Sequence, residues 1–361
     1  MTDRRIAVAL CMVALMACMA ACGGMGTHHG MAEEGDTIRF RYATLLTVVR
    51  YPSHTHVEIK NPWCKGVTLR VYDFDKPIER AVVTTTSHCR LLVDLGAETA
   101  IAGVCDAQYI HVPAIQERLR SKLLADCGNS MSPEVEVIVE SKADAVVVSP
   151  FENNGGYGLL EKLGIPIIEA ADYMEPSAMA RAEWMRLYGI LFGKEREADS
   201  LFHVVDSTYR ALSRQAIKCP KGRSILTERK TGSVWYCPGG QSSMGRLIAD
   251  ANGAYAFADD GHSGSLALPF EQVVDRAGEA DVWVIVASGA PLPTLSSLAA
   301  EYHGYKGIKA FRTGEVYVCD ASSTAYFEEV PFRPDYLLRD LIQLLHPGTD
   351  LGGFRYYRQI E

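Results

Sequence analysis

From Arg80 onward the chain alternates short apolar runs with stretches of helical period, and that alternation leaves few folds open. Ala81–Thr85 reads as a strand, Ser87–Leu95 as a helix closed by Gly96, and Ile101–Val104 as a second strand. Glu134–Ser141 is a short helix, Ala145–Val148 a buried strand, Gly158–Leu163 a helix stopped by Gly164, and Ile165–Ile168 a further strand. Strands that are apolar throughout, rather than at alternate residues, are covered on both faces. The expected fold is therefore α/β, with a mostly parallel sheet between layers of helix.

The pattern then recurs. Ser224–Thr227, Val234–Tyr236, Val282–Val286 and Val316–Val318 are the strand candidates of a second half, with helices at Ser243–Asp250, Pro269–Arg276, Leu295–Glu301 and Pro334–Leu345. Ala143-Asp144 before Ala145–Ser149 is echoed by Ala280-Asp281 before Val282–Val286. Two α/β lobes of similar construction follow, 80–172 and 219–361. Between them, 173–218 is helical. Trp184, Leu187, Tyr188 and Leu191 recur every three or four residues, Gly193 interrupts, and Ala198, Leu201, Phe202, Val205, Tyr209 and Leu212 resume the stripe. Glu195 to Ile217 as one helix would reach about 34 Å at 1.5 Å per residue. A single rod of that kind links two lobes more stiffly than several crossing strands.

The start of the chain points to a protein that works outside the cytoplasm, tied to a membrane by lipid. Arg4-Arg5 precede sixteen uncharged residues, Ile6 to Ala21, which run into Met19-Ala20-Ala21-Cys22-Gly23-Gly24. The run is shorter than the roughly 20 apolar residues of a spanning helix. With small residues before a cysteine it reads as an export signal, 1–21, ending in a lipidation site at Cys22. Cys18, preceded by Leu15-Met16-Ala17, competes with it but has a bulky Met before the Ala. Residues 22–35 form a Gly/Met/His-rich tether, in which the adjacent His28-His29 are read as incidental. Residues 36–79 read as a small antiparallel β extension, with strands at Ile38–Tyr42, Leu45–Arg50, His54–Lys60 and Val67–Tyr72.

A formal charge of −8 argues against nucleic acid as a partner. Beyond Cys22 the chain keeps Cys64, Cys89, Cys105, Cys127, Cys219, Cys237 and Cys319, an odd number with no CxxC pair, so at least one stays free or pairs between molecules and a structural zinc site is not indicated. Gly239-Gly240-Gln241-Ser242-Ser243 lacks the Lys-Ser/Thr ending of a phosphate loop, and Ser149 and Ser288 sit in no Gly-x-Ser-x-Gly elbow. No nucleophile, base and acid are arranged together, so catalysis is not expected.

Over about residues 80–345 the sequence resembles the substrate-binding lipoproteins of ABC importers for cobalamin, ferric siderophores and haem. The resemblance rests on Arg80-Ala81-Val82-Val83 leading to Ser87-His88, and on Leu92-Val93-Asp94-Leu95-Gly96-Ala97 before Ile101-Ala102-Gly103-Val104. Val135-Glu136-Val137-Ile138 before Ala143-Asp144-Ala145-Val146, Leu163-Gly164-Ile165-Pro166-Ile167, and Glu183-Trp184-Met185 through Gly189 to Glu195 complete it. It implies two lobes joined by one long helix, a ligand cleft between them and modest closure. The implied partners are a permease and its ATPase in the inner membrane, with the monomeric chain held there by its lipid. In that family one exposed glutamate per lobe meets permease arginines, which here points to Glu152 and Glu271.

Ligands of open α/β sheets sit beyond the carboxyl ends of the strands, so the loops there supply the candidate site. Ser87 and His88, Tyr109, and Asn153 in the loop 150–157 come from the first lobe. Trp235, Tyr236, Gly240, Ser242 and His262 come from the second, although Trp235 fits a lobe core equally well. Aromatic faces, glycines and hydroxyls suit a large planar ligand. Because these loops hold few arginines, a corrinoid is preferred to haem or an anionic ferric siderophore. No resident cofactor and no direct metal ligand is expected. The alternatives are a chelatase-like enzyme of the same shape, with His88 its one acid/base candidate, and a ligand-free structural lipoprotein.

Overall fold

A computed structural model describes residues 34–153 and 155–361. The export signal, Cys22 and the tether with His28-His29 lie outside the described residues. The first lobe is built on a five-stranded parallel sheet in the spatial order Ile167–Glu169, Ala145–Val148, Ala81–Val83, Ile101–Val104, Ala125–Asp126. Every residue of the three central strands is buried, as both-face coverage requires. The edge strand Ala125–Asp126 has only two residues and left no pattern in the sequence.

The second lobe carries Ala254–Tyr255, Ser224–Thr227, Val282–Ala287, Val316–Asp320 and Tyr357–Gln359, the last antiparallel to its neighbour. Val234–Pro238 is a strand as expected, but it belongs to a separate antiparallel sheet with Lys230–Thr231 and Ser265–Leu268. Numbered within each lobe, the strand orders are 3-2-1-4-5 and 2-1-3-4-5. In both, the order reverses beside the first strand, which is where open α/β sheets open a ligand crevice. The crevice ends are Thr84-Thr85 and Ser149 in one lobe, Glu228 and Ser288 in the other.

The linking helix is Glu195–Lys218, with Ala198, Phe202, Val205, Tyr209 and Ala216 on its buried face. Ahead of it, Met185–Leu191 ends before Gly193, whose φ of 65° is left-handed and favours glycine. The two helices cross closely at Gly189, where a Cβ would stand 2.5 Å from that of Ala198. The closing helix Pro334–Leu345 packs along the linker. Tyr209 ties the linker to the second lobe by donating its hydroxyl to Asp250 at 2.6 Å.

The N-terminal extension is a four-stranded antiparallel sheet, Asp36–Ile38, Leu46–Arg50, Thr55–Lys60 and Thr68–Phe74. Its alternate residues Leu46, Val48, Val57 and Ile59 enter the same core as the first lobe's helices. The first strand stops at Ile38 rather than reaching Tyr42, because the next backbone amides have other acceptors. Arg41, Tyr42 and Ala43 donate to the carboxylate of Glu183 at 2.6–2.9 Å, and Thr44 and Leu45 to that of Glu175 at 2.9–3.0 Å. The cysteines of the described residues are all unpaired.

Candidate ligand-binding cleft

The turn Thr84-Thr85-Thr86, after the first lobe's first strand, divides two cavities. One, of about 460 Å³, lies within the first lobe against Thr84, Thr85, Met131, Ser149, Phe151 and Leu159. The Thr85 and Ser149 hydroxyls, at the ends of adjacent strands, are 3.0 Å apart. The other cavity, of about 440 Å³, crosses between lobes. Thr86, Tyr109 and His111 line it from the first lobe; Ser288, Ser322 and Phe327 line it from the second.

Tyr109 is 65% exposed and Phe327 56% exposed, a solvent cost that suits residues awaiting a partner. Local structure presents each of them. Asp106 adopts a left-handed φ of 51° and starts the short turn Ala107–Tyr109. Gln116 then holds that turn by donating to the carbonyls of Ala107 at 3.1 Å and Ile110 at 2.6 Å. Phe327 belongs to Tyr326–Glu329, the single helical turn after strand Val316–Asp320.

The same turn fastens the lobes together at the cavity's edge. The His111 amide donates to Glu328 at 2.6 Å, and Arg90 meets Glu329 at 3.3 Å. Burial pushes the Glu328 carboxyl up, partly offset by the His111 amide. Burial also acts on Glu329, but the bidentate Arg355 at 2.7 Å, with Arg90, overrides it and holds that carboxyl below its usual range.

Tyr109 is thus the expected site residue that lines the interlobe cavity. Ser87 and His88 do not, and this corrects the sequence reading. The helix Thr86–Asp94 begins two residues after the strand, and its first turn carries both side chains inward. His88 is fully buried, with Nε2 2.9 Å from Asp172, whose other oxygen accepts from Arg181 at 2.8 Å. Its ring packs against Tyr188 and against Phe332 of the second lobe. Trp235 is likewise corrected to lobe core. It is fully buried, donates Nε1 to the Thr227 carbonyl at 2.9 Å, and packs among Phe270, Trp283 and Tyr305.

Ser242 is a buried helix cap that accepts from the Gly245 amide at 3.1 Å, not an open hydroxyl. Tyr236 is half exposed on the side sheet, and the exposed His262 pairs with Asp260 at 2.8 Å; neither borders the interlobe cavity. Gly240 borders a different space of about 750 Å³, where Arg41 of the extension, Arg210 and Arg214 of the linker and Arg246 converge. The loops alone concealed those arginines, because they arrive from helices and from the extension. Asn153 and Glu152 are exposed beside a smaller cavity against the extension. Glu271 is exposed in the first turn of Phe270–Ala277. Phe327 closes the loop 322–327, which the sequence also places after a strand, the same signal that singles out Tyr109.

Among the described residues no group of three or more His, Cys, Asp or Glu is placed to hold a metal ion. No helix among them is long and apolar enough to cross a membrane.

Comparison with known proteins agrees with this architecture. A lipoprotein of Methanocaldococcus jannaschii is 25% identical over 286 residues, covering 76% of this chain and 67% of its own length. A periplasmic haem-binding protein of Pseudomonas aeruginosa superposes with a TM-score of 0.61 at 16% identity, over 79% of this chain and 98% of its own. An ABC-type ferric-hydroxamate transport protein of Saccharomonospora viridis gives 0.60 at 19% identity, over 80% and 98%. These structural likenesses speak for the fold. The sequence signature described as periplasmic binding protein matches residues 81–323, the first lobe, the linker and the second lobe through strand Val316–Asp320, and the chain belongs to that family.

Proposed function

We propose that this protein captures a metal chelate outside the cytoplasm and hands it to an ABC importer. In this reading a lipid on Cys22 tethers the chain, and a permease with its ATPase receives the ligand. The observation that carries it is the interlobe cavity, lined from both lobes at the carboxyl ends of both sheets. A ligand seated there touches both lobes and reports its presence through their spacing.

Exposed aromatic rings, hydroxyls and the Ser288-Gly289 backbone favour a planar macrocycle, a corrinoid before haem. A ferric siderophore or another anionic chelate is the second reading. It is favoured by the arginine-lined space at Gly240, where Arg214 has no carboxylate partner among the described residues. The chelatase-like alternative loses its one acid/base candidate to the core, since His88 is buried.

Absorption spectra of protein purified from its native host separate corrinoid, haem and ferric siderophore. Calorimetry with the identified chelate then tests the cavity. Tyr109→Ala and Phe327→Ala should each weaken binding about tenfold or more, as loss of a stacking aromatic does. Unchanged affinity in both variants would move the ligand elsewhere.

Docking through Glu271 and Glu152 makes a separate prediction. Glu271→Lys combined with Glu152→Lys should lower chelate uptake and permease-stimulated ATP hydrolysis with ligand affinity intact, because rim charges govern encounter and register. Normal uptake by the double variant would remove docking from both.

A further inference from the structure

The extension borders a further cavity, outside the interlobe cleft. It holds about 310 Å³ between the extension's 61–70 turn and the loop after strand Ala145–Val148. Its walls are Trp63, Leu69 and Arg70 on one side, and Phe151, Glu152 and Glu169 on the other. The turn is fixed in place: the Asn61 side-chain oxygen accepts from the amides of Trp63 at 2.9 Å and Cys64 at 3.0 Å. Tyr72 fastens the extension to the edge strand Ile167–Glu169, donating to the Ile167 carbonyl and accepting from the Glu169 amide, both at 2.9 Å.

Glu169 is the unusual member. It is 2% exposed, one carboxylate oxygen accepts from Arg70 at 3.0 Å, and among the described residues no donor reaches the other. A buried carboxylate oxygen without a donor is costly. The cavity also carries two carboxylates, Glu152 and Glu169, against the one guanidinium of Arg70, so one negative charge is unmatched. Trp63 and Phe151 line the same cavity. Aromatic side chains in a cavity with an excess carboxylate recognise an organic ammonium ion, through cation–π attraction and the attraction of opposite charges. The volume is at the small end of ligand pockets, which run from about 300 Å³ upward.

We propose that this cavity is a binding site for one small organic ammonium ion. It owes Trp63 and Arg70 to residues that precede the family-matched segment 81–323, and it stands whether or not the cleft binds a chelate.

Trp63 supplies the readout. The other tryptophans, Trp184, Trp235 and Trp283, are fully buried, so acrylamide-quenchable emission belongs to Trp63. Choline should protect that emission saturably. Dimethylbutanol, its uncharged carbon isostere, should bind about tenfold more weakly because it lacks the charge. By calorimetry, Glu169→Gln and Trp63→Leu should each weaken choline about tenfold. Glu152→Gln alters an exposed side chain and serves as the second variant if Glu169→Gln fails to fold; it should weaken choline measurably. Equal binding of choline and dimethylbutanol, or the absence of saturable protection, would overturn the site. So would full choline affinity in Glu152→Gln together with Trp63→Leu.

Discussion

Replacing Glu183 with alanine should cost about 3–5 kcal/mol of folding stability, the usual range for stripping a partner from a buried charged cluster. Glu183 is 1% exposed, and its carboxylate accepts the consecutive amides of Arg41, Tyr42 and Ala43 at 2.8, 2.6 and 2.9 Å. Removal leaves those amides without an acceptor, each worth about 1–3 kcal/mol if it stays buried. The net loss is smaller than their sum because the segment can open to water. That opening is the second expected result: limited proteolysis should cut near Arg41 in Glu183→Ala and not in the parent. Glu183→Gln keeps one acceptor oxygen and should fall between the two. A denaturant midpoint for Glu183→Ala equal to the parent's would show that the extension is held by its apolar face alone.

Glu183 also shows where sequence reading reaches its limit. The central strands were legible because four consecutive buried residues, such as Ala145–Val148, leave an unbroken apolar run. The linker was legible because its buried residues keep a helical period over 24 residues. The pairs Ala125–Asp126 and Ala254–Tyr255, and the three-residue Tyr357–Gln359, are strands only because a neighbour pairs with them. Nothing in two or three residues declares that. A carboxylate that accepts from residues about 140 positions away has no local signature at all.

The site divides in the same way. Tyr109 and Phe327 both follow strand ends, so topology finds them before coordinates do. His88 is adjacent to a strand end in sequence, but its helix turns the ring into the core, where Asp172, Tyr188 and Phe332 hold it. The arginines around Gly240 come from the extension, the linker and a second-lobe helix, and only the folded chain assembles them.

Glu228 carries the second large expectation, a fall in stability as pH rises from about 4.5 to about 7. It follows strand Ser224–Thr227 at the second lobe's crevice end, in a left-handed conformation with φ 62°. Burial pushes its carboxyl up to about 7, against the downward pull of the Val286 backbone hydrogen bond and of Arg229. A carboxyl raised in the folded state binds its proton more tightly there than in the unfolded chain. Its contribution is therefore fully present below the unfolded value of about 4.5 and is lost as pH climbs through about 7. The shift corresponds to about 3 kcal/mol between pH 4 and pH 8, at 1.36 kcal/mol per unit. Glu228→Gln, which stays neutral, should flatten that part of the curve and be the more stable protein at pH 8. Glu328 and Asp340 are raised in the same direction by burial, but they titrate in both proteins and cancel in the difference. Urea unfolding of parent and variant at a series of pH values measures it. Parallel stability curves would mean that Glu228 keeps its charge in the folded protein, with water reaching a carboxyl that is only partly buried.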